Sequence, residues 1–207
     1  MSFRLIPFHA QPHPDVDVTQ PFVVASLDPG TRSFAVRVER RVPGAPPAML
    51  LYVLVSFGGK AAMKAAEEDD NKVLRVWGLV LSFLDSIADV LAQVNLYIFE
   101  QQLSPNHSVA KMSQHVMCAI MCRFRDRPPF PVILEVSPQL KSPLIRERHP
   151  EAKGKELKKH APEAARQLLE ARGDERSLAI MREHKKKDDL SDVVLQIEAL
   201  VRLLGQR

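Results

Sequence analysis

The stretch Phe22-Val23-Val24-Ala25-Ser26-Leu27-Asp28-Pro29-Gly30-Thr31-Arg32 decides how the rest of the 207-residue chain is arranged. An almost wholly apolar run of strand length ends in a carboxylate, and Pro-Gly follows at once. Such a run reads as a fully buried strand, and Pro-Gly as the turn that ends it. Asp28 then stands at the carboxyl end of a central strand, where open α/β sheets place their ligands and chemistry. An Asp before Pro-Gly also starts turns for its own sake, so the assignment depends on what the remaining chain brings to the same rim.

Outward from that strand, Phe34, Val36 and Val38 alternate with Ala35, Arg37 and Glu39 in the period of a half-buried strand. A Pro-Gly-Ala-Pro-Pro break precedes a third strand over residues 49–57, which Gly58-Gly59 ends. The three make an antiparallel meander. A single helix is expected over residues 73–91, with Val73, Val76, Trp77, Val80, Leu81, Leu84, Ile87, Ala88 and Leu91 on one face. Residues 95–100 form a short apolar strand that again closes on an acid, Glu100. Ser104-Pro105 caps the next helix, which buries Val109, Met112, Val116, Met117, Ile120, Met121 and Phe124. A fifth strand covers residues 131–136, a basic helix-prone stretch covers 141–172, and a last helix runs over about residues 189–204.

Right-handed crossovers would set the fourth strand parallel beside the first, giving a mixed five-stranded sheet. Parallel neighbours lie roughly 4.8 Å apart, so Asp28 and Glu100 converge on one rim. The last helix begins Asp188-Asp189-Leu190-Ser191-Asp192. At about 100° per residue, Asp189 and Asp192 lie at the edge of its apolar face, and Asp188 points further from the core. An acidic first turn is also favoured by the helix dipole alone. Taken with Asp28 and Glu100, however, these acids make a set of hard oxygen donors suited to Mg2+ or Mn2+. Two such ions about 3.5 to 4 Å apart stabilise both oxygens of a phosphodiester hydrolysis.

Composition narrows the partners. The net charge is +4, but basic residues crowd into 141–187 while the acids cluster at 67–70 and 188–192. A basic field beside a compact acidic cluster suits a polyanion held near divalent cations. No apolar run approaches the roughly 20 residues of a membrane span, so no membrane is expected as a partner. Cys118 and Cys122 lie four apart in an apolar helical pattern and read as small core residues, as suits a reducing, intracellular compartment. No Cys and His cluster has zinc spacing, so the seven histidines offer no soft metal site. Residues 1–20, with Pro7, Pro12 and Pro14, read as an extended or disordered arm without the apolar core of a secretory signal, and residues 21–207 as one domain.

Three segments together resemble the acidic motifs of the RuvC-type Holliday junction resolvases: Leu27-Asp28-Pro29-Gly30-Thr31-Arg32, Ile98-Phe99-Glu100-Gln101-Gln102, and Lys187-Asp188-Asp189-Leu190-Ser191-Asp192-Val193-Val194-Leu195. The Glu-Gln-Gln and Lys-Lys-Asp-Asp forms look nearest to the poxviral and fungal mitochondrial branch. The likeness spans about residues 22–204 in the right order. It implies an RNase H-like fold, a homodimer, and paired nicks across branched, four-way DNA leaving 5′-phosphates. It makes Asp28, Glu100, Asp189 and Asp192 the metal ligands, with Asp188 as a substitute, and two Mg2+ or Mn2+ ions the cofactor. It also implies a lysine after the fifth strand, for which Lys141 is the candidate in the catalytic site and Lys155 a second. Leu103 falls in a loop expected to approach the junction centre, where an apolar wedge against an opened base step is physically plausible. Lys141, Lys155, Lys185, Lys186 and Lys187 are the expected DNA-contacting cations. A mitochondrion or the replication site of an infecting virus would both suit such an enzyme.

Other functions share parts of the pattern. Asp-x-Gly-Thr after a strand also opens the ATP-binding fold of sugar kinases and actin-like proteins, but these need a second glycine-rich phosphate loop, and the chain has only eight glycines. An RNA-processing nuclease of the same fold uses the same carboxylate chemistry. A non-catalytic branched-DNA-binding protein gains nothing from clustered acids facing phosphates.

Overall fold

The structure is a computed structural model that describes residues 17–57, 72–102 and 107–205, with the side chains of residues 72–74 outside that description. The Leu103 loop, the Ser104-Pro105 cap, Gly58-Gly59 and the arm before residue 17 lie outside the described residues. Strands β1 (Phe22–Pro29), β2 (Ser33–Arg41), β3 (Ala48–Ser56), β4 (Leu96–Glu100) and β5 (Val132–Val136) form one sheet in the order β3-β2-β1-β4-β5. The β1–β2 and β2–β3 pairs are antiparallel, and the β1–β4 and β4–β5 pairs parallel. This is the meander-plus-two-parallel-strands sheet that the sequence predicts.

Helices cover both faces. Side chains of a strand alternate between faces, so β1 sends Val23, Ala25 and Leu27 into one core with Phe34, Val36, Tyr97 and Phe99. That core is closed by α1 (Lys72–Ser86), α2 (Ala88–Leu91) and α3 (His107–Phe124). Phe22, Val24, Leu96, Ile98, Leu134 and Val136 point the other way, against α7 (Asp188–Gly205). Beside α7 lie a 3-10 turn (Pro138–Lys141), α4 (Ser142–Arg146), α5 (Lys155–Ala171) and α6 (Glu175–Glu183), which close a further core with Leu144, Ala164, Leu178, Leu190 and Val194. Because both faces are buried, β1 and β4 are apolar almost throughout.

Two local expectations differ. The helix over 73–91 is broken at Ile87, which has φ −114 and ψ 14, and Ser86 Oγ donates to the Phe83 carbonyl, offering the backbone a local bond that competes with helix continuation. Cys118 and Cys122 are exposed, not core. They lie about 200° round α3 from the buried Val116 and Ile120, so the apolar stripe that surrounds them in sequence turns away from them in space.

Towards the far end of β2, Arg37 and Glu39 are fully buried charges. Arg37 Nε pairs with Glu39 Oε1 at 2.5 Å and Nη2 with Asp174 Oδ2 at 2.8 Å, while the guanidinium lies 4.7 Å from the Tyr52 ring centre. Arg41 and Arg172 also pair with Glu39, and both reach Glu198 on α7. The network ties β2 to α5, α6 and α7. Burial alone would push the Glu39 carboxyl up, but the three arginines outweigh it and hold the group below its ordinary value.

Candidate active site

The register of the parallel pair carries the site. Leu27 lies opposite Phe99, so one further step sets Asp28 level with Glu100. By alternation both share the face of Val24, Ser26 and Ile98, which is the face covered by α7. The turn after Asp28 is tight: Gly30 N–H donates to the Ser33 carbonyl at 2.9 Å, and a Cβ on Gly30 would stand 2.7 Å from that oxygen. Only glycine allows this approach. It brings Ser33 to the rim, where its Oγ donates to Asp189 Oδ2 at 2.7 Å.

The first turn of α7 completes the cluster. Lys141, at the end of the 3-10 turn, reaches Glu100 Oε2 at 2.6 Å and Asp192 Oδ2 at 2.8 Å. Gln196, one helical turn beyond Asp192, donates to the same Glu100 oxygen at 2.7 Å and accepts from Ser26 Oγ at 2.7 Å. Lys186 Nζ lies 2.6 Å from Asp189 Oδ2. Asp188 is turned towards α5, 3.8 Å from Lys158.

Electrostatics follow from this crowding. Burial and then the charges of Glu100, Asp192 and Asp189 push the Asp28 carboxyl up to about 7, against the pull of Lys141. Asp192 is raised by burial, which Lys141 only partly offsets. Burial draws the Lys141 ammonium down, but the charges of Asp192 and Glu100 outweigh it and raise its pKa. Burial and three neighbouring carboxylates acting on Asp28 mark a site with excess negative charge, which is the condition a hard divalent cation relieves. Four oxygen-donor acids with no thiol or imidazole among them fit Mg2+ or Mn2+.

An open cleft of about 910 Å³ adjoins the cluster, lined by Lys155, Lys158, Lys159, Pro162, Lys185, Lys186, Lys187 and Asp188. It gathers four of the cations expected from sequence, Lys155, Lys185, Lys186 and Lys187, into one wall, whereas Lys141 sits among the carboxylates. Sequence reading missed Lys158 and Lys159, although residues 155, 158, 159 and 162 fall on one helical face by their spacing. It also missed Ser26, Ser33 and Gln196. Gln196 had a usable signal: a polar residue in an apolar stripe, four positions after an acid. The serines had none.

No protein-family model matches the chain, and no curated protein matches it. Solved structures do resemble it. The yeast mitochondrial Holliday junction resolvase Ydc2 overlays with a TM-score of 0.61 at 12% identity, over 88% of this chain and 79% of that one. RuvC of Thermus thermophilus in complex with a Holliday junction substrate gives 0.48 at 17% identity, over 87% and 95%. The fowlpox virus resolvase with its substrate Holliday junction DNA gives 0.48 at 12% identity, over 89% and 97%. At these identities the likeness is one of fold, carried by the overlay on the yeast resolvase. The chain has an RNase H-like fold.

Proposed function

We propose that the chain is a divalent-metal-dependent endonuclease that resolves four-way DNA junctions, acting as a homodimer that makes paired nicks. One observation carries the reading: Asp28 lies within reach of the charges of Glu100, Asp192 and Asp189, Glu100 and Asp192 share Lys141, and Asp189 pairs with Lys186 of the adjoining lysine-lined cleft. The likeness of fold to a junction resolvase supports it.

The residues have distinct tasks. Asp28, Glu100, Asp189 and Asp192 would hold the ions, Asp188 being directed to Lys158 instead. When bound, two Mg2+ or Mn2+ ions supply charge neutralisation at the phosphate and an acidified water. Gln196 fixes one Glu100 oxygen against β1, and Ser33 fixes one Asp189 oxygen, so the donors are oriented before a cation arrives. Lys141 neutralises part of the cluster and stands where it can meet negative charge that develops on a scissile phosphate. The cleft lysines track the backbone, which positions the duplex without reading its sequence. A single centre gives no reason for paired cuts, whereas a two-fold dimer presents two to a branched duplex. Leu103, three residues beyond Glu100 in sequence, is the candidate wedge at the junction centre.

The test is cleavage of a labelled mobile four-way junction, beside linear duplex and an RNA–DNA hybrid, in Mg2+ or Mn2+, by the wild type and Asp28→Asn. Symmetry-related nicks with 5′-phosphate ends that need metal and disappear in the variant are expected. Cleavage confined to the hybrid would move the assignment to RNA processing, and tight junction binding without cleavage in either metal would overturn catalysis.

A further inference from the structure

A second cluster of metal-ligating side chains lies outside the carboxylate centre. His149 and Glu151 belong to the connection between α4 and α5, and His160 is on α5. One donor atom from each lies within 4.8 Å of the other two. The two imidazole rings stack with centroids 3.9 Å apart and planes 22° from parallel. His149 Nδ1 is 4.0 Å from Glu151 Oε1, and its Nε2 is buried without a hydrogen-bond partner. The sequence spacing, His-x-Glu followed by a histidine nine positions later, matches no familiar zinc motif, which is why the histidines read as offering no soft site. The chain turn before α5 is what brings them together.

We infer that His149, Glu151 and His160 form a site for a zinc-class divalent cation, separate from the hard-ion centre, that staples the α4–α5 connection to α5. Two imidazoles and a carboxylate are borderline donors, which prefer Zn2+ to Mg2+. Donors on a tetrahedral zinc stand about 3.3 Å apart, given Zn–N distances of roughly 2.0–2.1 Å. The three donors must therefore close by at most about 1.5 Å from their spread of up to 4.8 Å, with one ring turning out of the stack. Glu151 has a side chain 71% exposed and moves freely to close the set, while His149, at 23%, is held by its surroundings. Three protein donors leave a fourth position for water. Lys158 and Lys159 immediately precede His160 on the same helix and line the basic cleft. A staple here would therefore order the segment from which one wall of that cleft grows. The site itself does not depend on the nuclease reading.

Zn2+ binding to the full-length, metal-free chain tests it, measured by competition with a chromophoric chelator in excess Mg2+ so that the carboxylate centre is satisfied. The wild type is expected to take one equivalent of Zn2+. Glu151→Gln and His160→Asn are each expected to weaken binding about tenfold or more, as loss of a ligand should cost at least what loss of its outer partner does. Zn2+ should also slow hydrogen exchange across residues 147–160 in the wild type and not in either variant. The exposed Glu151 makes its variant a safe one for folding. No zinc uptake by the wild type in excess Mg2+, or uptake unchanged by both substitutions, overturns the inference. Loss of junction cleavage with zinc binding intact would count against the nuclease assignment alone.

Discussion

Lys141 and Glu100, 41 residues apart in sequence, meet at 2.6 Å, and the same ammonium reaches Asp192 at 2.8 Å. A half-buried cation shared by two half-buried carboxylates is costly to leave incomplete, since removal of one partner strands the others. Lys141→Gln is therefore expected to lower the stability of the metal-free protein by about 1 to 3 kcal/mol, and Mg2+ to restore much of it. Cleavage should fall about 100-fold or more, in keeping with loss of one charge-stabilising donor. Thermal melts with and without Mg2+, set beside single-turnover cleavage rates, check both halves.

The raised Asp28 carboxyl fixes a direction for pH. Its pKa of about 7 in the folded metal-free chain exceeds its ordinary value of 3.8, so the native state binds the extra proton between these pH values. Stability contributed by the protonated group is present at low pH and lost as pH rises from about 4 to about 7. The ceiling is about 4 kcal/mol, and coupling to the neighbouring acids makes the observed change smaller. Metal-free Asp28→Asn should lose that slope and melt higher than the wild type at pH 8. Metal uptake, which requires the carboxylate, should strengthen over the same interval. Melting curves from pH 4 to 8 without metal would disprove this if the two proteins run parallel.

Gln196 should behave as a positioning residue. It is buried, it donates to Glu100, and it accepts from Ser26. Gln196→Leu leaves the buried Ser26 hydroxyl unpaired and Glu100 Oε2 with Lys141 alone, with an expected loss of about 1 to 3 kcal/mol. Metal affinity should drop about tenfold while junction binding in the absence of metal stays the same. Isothermal titration with Mn2+ and gel-shift binding separate these effects.

The cleft lysines should contribute to affinity and not to chemistry. Each phosphate contact removed is expected to lower the slope of log K against log salt by about 0.9. Lys158→Ala and Lys185→Ala should each weaken junction and duplex binding alike, with cleavage by the bound enzyme unchanged. Binding measured over a salt series gives the slope directly.

Far from the site, Glu39→Gln should destabilise the chain by about 3 to 5 kcal/mol, because it removes the anion on which Arg37, Arg41 and Arg172 converge. The native carboxylate is held below its ordinary pKa, so the stability it supplies is present at neutral pH and disappears on acidification. Urea denaturation at pH 7 and at pH 4 should show a large difference between wild type and variant at the first and a smaller one at the second.

The sequence by itself determined the sheet and the long helices α3 and α7. Apolar runs that close on an acid mark β1 and β4, an apolar run between prolines marks β5, alternation marks β2, and three-four spacing marks α3 and α7, because burial on one face or two writes a period into the chain. It also placed Asp28 and Glu100, since an acid that ends a buried strand has only the rim to occupy. What the tertiary structure alone decided is how side chains from distant segments face one another. Lys141 was a candidate only through the family resemblance, and its contacts with Glu100 and Asp192 arise because the 3-10 turn after β5 packs against α7, a path no local pattern encodes. Cys118 and Cys122 faced outward because the rotation of α3 against the sheet is set by its larger apolar neighbours. His149, Glu151 and His160 met because an irregular connection turns back on the helix that follows it. Backbone periodicity is a local consequence of burial, whereas a polar constellation depends on crossover paths and helix rotations that only the packed core selects.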